Sequence, residues 1–447
     1  MLFKNYNKII ANGNDEKLKI IRKDILEILS SSIDAVDPYK SVKKHFNKNF
    51  LNVEEKKFDL NKYNNIYLVA FGKASIGMAE AVTDSVNIAK GIAVTNDKEK
   101  KVFNRNIQTI SANHPIPNQN SIKAADKIIN LLEKTKKDDL VLILISGGGS
   151  ALLCKPRIGL KDLQKTTDIL LKSGANIKEI NTIRKHLSYV KGGQLLKYTK
   201  SNVIALVISD IIEDPLEFIA SGPTYPDSTT FSDIQNIFEK YNISHDLPIS
   251  VIDLIKKGIK GEISETPKLN DSVFEIANNF IISNNKLACF SALNKAEKLG
   301  YKTMFLTSAI EGEAKDIGNF LIDKTINYKT YAEKFLFVSG GETTVTIRGD
   351  GKGGRNQEMV LSTVKKIKDN NIVFCSFATD GIDGVVNAAG AISDKFTYKK
   401  SKKLNIDPED YLKTNDSYNF FKKLGDLIIT GPTGTNVMDI QLIALYK

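Results

Sequence analysis

Cysteine is scarce in this chain, and the little there is does not pair. Cys154, Cys289 and Cys375 lie far apart with no CxxC spacing. An odd, dispersed set of thiols argues against a disulfide framework or a zinc site and points to a reducing compartment. Histidine is nearly as sparse: His45, His114, His186 and His245 show no metal-ligand spacing. No GxSxG elbow offers a local start for Ser-His-Asp or Cys-His chemistry. No apolar run approaches the roughly 20 residues that cross a bilayer. The longest, such as Leu140–Ile145, fall far short, and the first fifty residues are charged throughout with no stretch of signal-peptide length. A soluble, cytoplasmic protein is expected, with no internal repeat and no low-complexity segment.

What is present fits a globular enzyme. Hydrophobic residues make up 42% and charged residues 26% of 447 positions, a length beyond one ordinary core of about 100–200 residues. The net charge of +11 comes from Lys scattered along the whole chain, with no basic run carrying interleaved aromatics. It reads as a solvated surface with a mild pull on anions, not as a nucleic-acid or membrane partner surface. A homodimer is left open.

Leu18, Ile21, Ile25, Ile28, Leu29 and Ile33 recur at helical spacing, with Asn14 as a candidate cap and an end near Asp37–Pro38. Short Val/Ile/Leu-rich runs then alternate with amphipathic ones. Ile66–Ala70, Ile92–Val94, Leu140–Ile145 and Val203–Ile208 read as buried parallel strands, between helices such as 121–134 and 160–172. The expectation is an α/β protein of two domains. Residues 1–270 form a doubly wound, Rossmann-like sheet with helices on both faces, and 271–447 a smaller α/β domain. In the second, strands are expected at 280–282, 302–306, 335–338, 343–347 and 372–377. The short gap between Val338 and Thr343 suggests a bend and a mixed sheet.

Ligands of open α/β sheets bind beyond the C-terminal ends of the strands, so the residues that follow each strand matter most. Lys73 follows the first strand and a Gly, at a probable helix start that suits an anion; a surface Lys beside a tight turn is the plain alternative. Ser146, Gly147, Gly148, Gly149 and Ser150 follow the third, and three glycines let backbone N–H groups approach a phosphate or carboxylate. The GK[ST] ending of a Walker A loop is missing. Asp210 follows the fourth strand, with Asp214 close behind: a carboxylate for Mg²⁺, or only a helix cap. In the second half Gly340, Gly341 and Glu342 follow one strand, and Gly353, Gly354, Arg355 and Asn356 open a helix. Asp380 and Asp383 repeat the strand-end acid pair, and Thr430–Asn436 is a further loop of small and hydroxyl residues. Gly349, Gly351 and Gly354 spell GxGxxG, but Asp350 and Lys352 lie inside it and the next acid past a strand, Asp380, comes later than the expected spacing of about 20 residues. An inventory of Gly, Lys, Arg and Asp is the one phosphoryl transfer calls for.

Taken together, VAFGKAS, HPIPN, ISGGGSALL, INTIRKHLSYVKGG, IASGPTYPD, VSGGETTVTIRGDGKGGRNQE, ATDGIDG with NAAGA, and TGPTGTNV resemble the glycerate 2-kinase family, whose C-terminal half is the MOFRL domain. The resemblance runs from about Val69 to the C-terminus. It implies transfer of the ATP γ-phosphoryl group to the 2-hydroxyl of D-glycerate, a need for Mg²⁺, and a site between two α/β domains. It places Lys73 and Arg355 on the family's two proposed catalytic basic residues. It also places Ser146–Ser150 on its glycine-rich ligand loop. Gly340, Gly341, Glu342, Gly353, Gly354 and Asn356 are expected as further nucleotide or substrate contacts from their place in the strand-end loops. Metal duty for Asp210 and Asp380 is inferred from charge and location. A kinase forming 3-phosphoglycerate, an NAD(P)H-dependent hydroxypyruvate reductase and a non-catalytic sugar-acid or nucleotide sensor are the alternatives. The chain departs from the family's usual residues at Glu213 (Gly), Asn118 (Asp), Thr343 (Pro) and Met438 (Asn).

Overall fold

The computed structural model describes residues 2–328 and 330–447. The chain forms two compact units, one continuous (Pro38–Ile282) and one assembled from Met1–Asp37 with Ser283–Lys447. This differs from a division at 270. The opening helix, Glu16–Ala35, buries Leu18, Ile25, Ile28 and Leu29 and packs on the helix Asn285–Lys298. Its cap is Asp15, whose side chain accepts from Leu18 N at 2.8 Å, not Asn14. Arg22 completes the attachment: fully buried, it donates to Asp394 and Asp426, each at 2.6 Å.

The continuous unit begins with a three-stranded antiparallel sheet, β1 (Phe46–Asn47), β2 (Phe50–Val53) and β3 (Lys56–Asp59). Its main sheet holds β4 (Ile66–Phe71), β5 (Lys90–Thr95), β6 (Ile107–Ser111), β7 (Leu140–Ile145), β8 (Asn202–Ile208) and β9 (Ala277–Ser283) in the order β6-β5-β4-β7-β8-β9. β4 to β8 are mutually parallel. β7 is buried at all six positions, which is why it reads as an unbroken apolar run and not as an alternation. The helix Gln119–Leu132 presents Ala124, Ile128, Leu131 and Leu132 to that sheet. The strand order runs outward from β4 to β6, then restarts at β7 on the other side of β4. The topological switch point therefore lies between β4 and β7, where a doubly wound sheet opens its ligand crevice.

The discontinuous unit carries β10 (Lys302–Ile310), β11 (Lys334–Gly341), β12 (Ile372–Ala378), β13 (Gly390–Asp394), β14 (Leu427–Ile428) and β15 (Asp439–Tyr446), ordered β10-β11-β15-β12-β13-β14. β10 and β11 are parallel, whereas β15 runs antiparallel to β11 and β12, so the sheet is mixed as expected. The strand expected at 343–347 is absent. That segment makes a single bridge, Glu313 to Thr344, and its Thr346 N–H and hydroxyl go to the Glu313 side chain. The alternating Thr/Val/Thr/Ile pattern is taken by a side-chain clamp where a neighbouring strand would have been needed.

Candidate active site

At the switch point the turn after β4 and the loop after β7 are interlocked. Gly72 has φ +127°, and a Cβ there would lie 2.1 Å from Ser146 Oγ, so only glycine fits. Lys73 N donates to Gly147 O at 2.8 Å and Ala74 N to Ser146 Oγ at 3.1 Å. Gly147 and Gly148 leave their own N–H groups without an acceptor among the described residues, as an anion cradle requires. Side chains press on this loop from three strand ends. Positions where a Cβ would project from Gly147 and Gly148 meet Asp210 Oδ2 at 2.1 Å, His114 Cδ2 at 2.9 Å and Lys73 Cγ at 3.3 Å. Lys73, Ser146–Ser150 and Asp210 thus converge as the sequence suggests.

The electrostatics suit an anion. Burial, with help from Lys73 and Arg184, pushes the His114 imidazolium down to about 4, so the ring is neutral at pH 7. Burial raises Asp210 while Lys73 pulls it back. Ser150 Oγ is tied to Ser221 Oγ at 2.8 Å, and Ser221 donates to Asn181 at 2.7 Å. Ser221 follows Ala220 in the left-handed region (φ +63° and +50°), the kind of strain that persists where surrounding structure over-determines it.

In the discontinuous unit, Arg355 opens the helix Arg355–Ile367. Its guanidinium forks onto Asp439 at 2.5 and 2.9 Å and reaches Glu342 at 2.7 Å; after the opposing cost of burial, Asp439 is the main force raising its pKa. Asp439, at the head of β15, carried no signal in the sequence. Asp383 is buried, accepting from the backbone and side-chain nitrogens of Asn356 and Gln357 at 2.8–3.2 Å; burial, then Asp439, pushes its carboxyl up to about 6. Asn356 is committed to Asp383 and to Ser376, 2.5 Å away, and is not open to a ligand. Gly353 and Gly354 give room to Ser417 and Asp383, and Gly349 and Gly351 to the backbone of Thr414. The GxGxxG spacing is therefore a packing requirement of this loop. Gly340 and Gly341 likewise lie against Asn285 and Ile310. Asp380 closes β12, its carbonyl taking Thr433 N–H. Among the described residues no cluster of three His, Cys, Asp or Glu could hold a metal ion by itself, and no helix is long and apolar enough to cross a membrane. His114 and Arg184 are the additions at the first sheet; both sit in motifs visible in the sequence, HPIPN and INTIRKHLSYVKGG, but neither type has a spacing that announces a role.

A parallel sheet with a glycine loop and Lys at its switch point, joined in one chain to a mixed α/β unit, defines a two-part family. Residues 24–256 match a domain of unknown function, DUF4147, and residues 335–439 match the MOFRL family. The chain is 44% identical over 431 residues to a glycerate 2-kinase of Pyrococcus horikoshii, covering 94% of this chain and 97% of that one. It is 40% identical to a D-glycerate 2-kinase of Thermotoga maritima over 94% and 97%. A crystal structure of glycerate kinase from Thermotoga maritima superposes with a TM-score of 0.84 at 37% identity, covering 96% of this chain and all of that one. Some other relatives carry a hydroxypyruvate reductase name. The chain belongs to the glycerate 2-kinase family.

Proposed function

We propose that this protein transfers the γ-phosphoryl group of ATP to the 2-hydroxyl of D-glycerate, giving 2-phosphoglycerate and ADP. The observation that carries this is the switch-point loop, where two unsatisfied N–H groups lie beside Lys73 with a carboxylate, Asp210, across from it. In the step, the C2 oxygen bonds to the γ-phosphorus, the bond to the β–γ bridging oxygen breaks, and the hydroxyl proton is released. Such a transfer needs positioning and charge neutralisation more than covalent chemistry from the protein. Lys73 supplies a cation at the glycine loop. Arg355 is anchored by Asp439, while its bond to the exposed Glu342 is of the kind worth only about 0–1 kcal/mol and is readily exchanged for a phosphate oxygen. A single strand-end carboxylate such as Asp210 fits Mg²⁺, which takes one or two carboxylates with phosphate oxygens; the ion would supply further neutralisation of the phosphates, and Asp380 is the second candidate.

The reductase reading has no support in this geometry, because the glycines that spell its fingerprint are used in packing: Gly349 and Gly351 face Thr414 and Asp416, and Gly354 faces Asp383. The test is ADP release from ATP with D-glycerate and Mg²⁺, the product being coupled to enolase. ADP together with an enolase signal supports the reading. ADP alone moves the phosphate to the 3-hydroxyl, and no ADP removes glycerate as substrate. Lys73→Ala and Arg355→Ala should each lower kcat on the order of 10²–10³-fold, as losing a preorganised charge does; changes within a few-fold would strip those two residues of their assigned roles.

A further inference from the structure

The helix Ile177–His186 ends in three consecutive basic residues, and the structure treats them unequally. Lys185 is fully buried and bonded to Glu217 at 2.7 Å and Asp227 at 3.2 Å. His186 is bonded to Glu265 at 2.8 Å. The Arg184 side chain has neither a carboxylate within ion-pair distance nor a hydrogen bond among the described residues; it is partly buried, and burial is the main force lowering its pKa. A desolvated guanidinium without partners costs several kcal/mol as a rule. The carbonyl end of the helix offsets only part of that and leaves the planar N–H fork unsatisfied.

The surroundings deepen the imbalance. Arg184 lines a narrow pocket of about 30 Å³ with Ser150, Ser188 and Lys191, closed by apolar groups including Pro115 and Leu187, and no Asp or Glu lines it. Lys191 gives two of its three N–H donors to the carbonyls of Ser150 and Leu153, which fixes its ammonium beside the pocket as an added charge. Lys73 and Arg184 both act on His114, which places the pocket next to the glycine loop and on its cationic side. Arg184 and Lys191 bring two basic groups to this pocket and no acid lines it, so an anion suits it. The space is too small for a nucleotide or a triphosphate and suits one planar carboxylate, which a guanidinium grips through two parallel hydrogen bonds.

We infer that Arg184 is the carboxylate-binding residue for the acceptor, holding the acid group of a small 2-hydroxy acid so that its hydroxyl lies toward the Ser146–Ser150 loop. The ligand's identity rests on the glycerate kinase reading; the site itself rests on the unpartnered guanidinium.

The test uses Arg184→Met and Arg184→Lys in the full chain. In the ADP-release assay, Arg184→Met should raise the KM for D-glycerate on the order of 10²–10³-fold, the loss expected for a desolvated charge pair. The KM for ATP should be unchanged and kcat should stay within about tenfold. Arg184→Lys, which keeps charge but not the fork, should fall between. Because the guanidinium has no protein partner, the urea midpoint of Arg184→Met should equal or exceed that of the parent; a marked fall would show a structural role and overturn the inference. A glycerate KM within threefold of the parent, or a rise in the ATP KM instead, would also overturn it. Calorimetric titration of D-glycerate into the nucleotide-free parent and Arg184→Met separates this inference from the reaction. Binding to the parent and not to the variant supports the site even if no ADP is released, whereas equal binding to both, or to neither, overturns it.

Discussion

Glu213 is exposed and holds φ +63° in the turn that follows β8. A non-glycine residue in that region costs about 1–2 kcal/mol through the approach of its Cβ to the following carbonyl. Glu213→Gly is therefore expected to stabilise the protein, by about 1 kcal/mol once the extra freedom of glycine in the unfolded chain is subtracted. Urea denaturation measures this directly, and an unchanged or lowered midpoint would mean that the turn holds Glu213 without strain. Met438 lies in the same region, at φ +68°, but its side chain is buried, so replacing it would trade strain against lost packing. Such residues are legible as identities in the sequence. Their backbone geometry is not, because a left-handed φ is imposed by the loop and not by the side chain. Asp439 is the converse case. It anchors Arg355, yet a lone acid at the start of an apolar run carries no sign of a partner more than eighty residues away.

Among elements, the switch-point strands are plain in the sequence because burial on both faces writes itself as runs such as Leu140–Ile145. The glycine loop beyond is equally plain, since consecutive glycines have few structural uses. The segment 343–347 misleads by the same criterion: its alternation imitates a strand, and only the Glu313 clamp shows otherwise. The opening helix is legible as a helix but not as a member of the distant unit, since Asp394 and Asp426 give no hint that they await Arg22. That buried triad can be tested by removing its arginine. Arg22→Ala leaves two carboxylates facing an empty buried position, and removing one partner from such a group costs about 3–5 kcal/mol. The urea midpoint should fall accordingly; a loss below about 1 kcal/mol would mean that water enters and solvates the pair.

For the whole molecule, the uneven division of the chain makes a prediction about fragments. Residues 38–282 contain their own sheet and core and should unfold cooperatively in isolation. Residues 283–447 should not, because the helix that covers their exposed helix face, Glu16–Ala35, lies at the other end of the chain. Supplying residues 1–37 as a peptide should restore a cooperative transition and protect the fragment from proteolysis. A cooperative transition in 283–447 without the peptide would contradict this.

Synthesis runs from one end, and here that imposes a delay. The helix Glu16–Ala35 leaves the ribosome before its partners, which follow only after everything from Pro38 to Ile282 has been made. At about 5–20 residues per second the stripe of Leu18, Ile25, Ile28 and Leu29 waits on the order of tens of seconds, longer than a small domain needs to fold. The newborn chain therefore carries an uncovered apolar ridge while its middle is made, with a buried-to-be arginine set among it. Slower translation of the middle of the message lengthens that exposure and faster translation shortens it, so the time for which this ridge stays open is set by the making of the central domain.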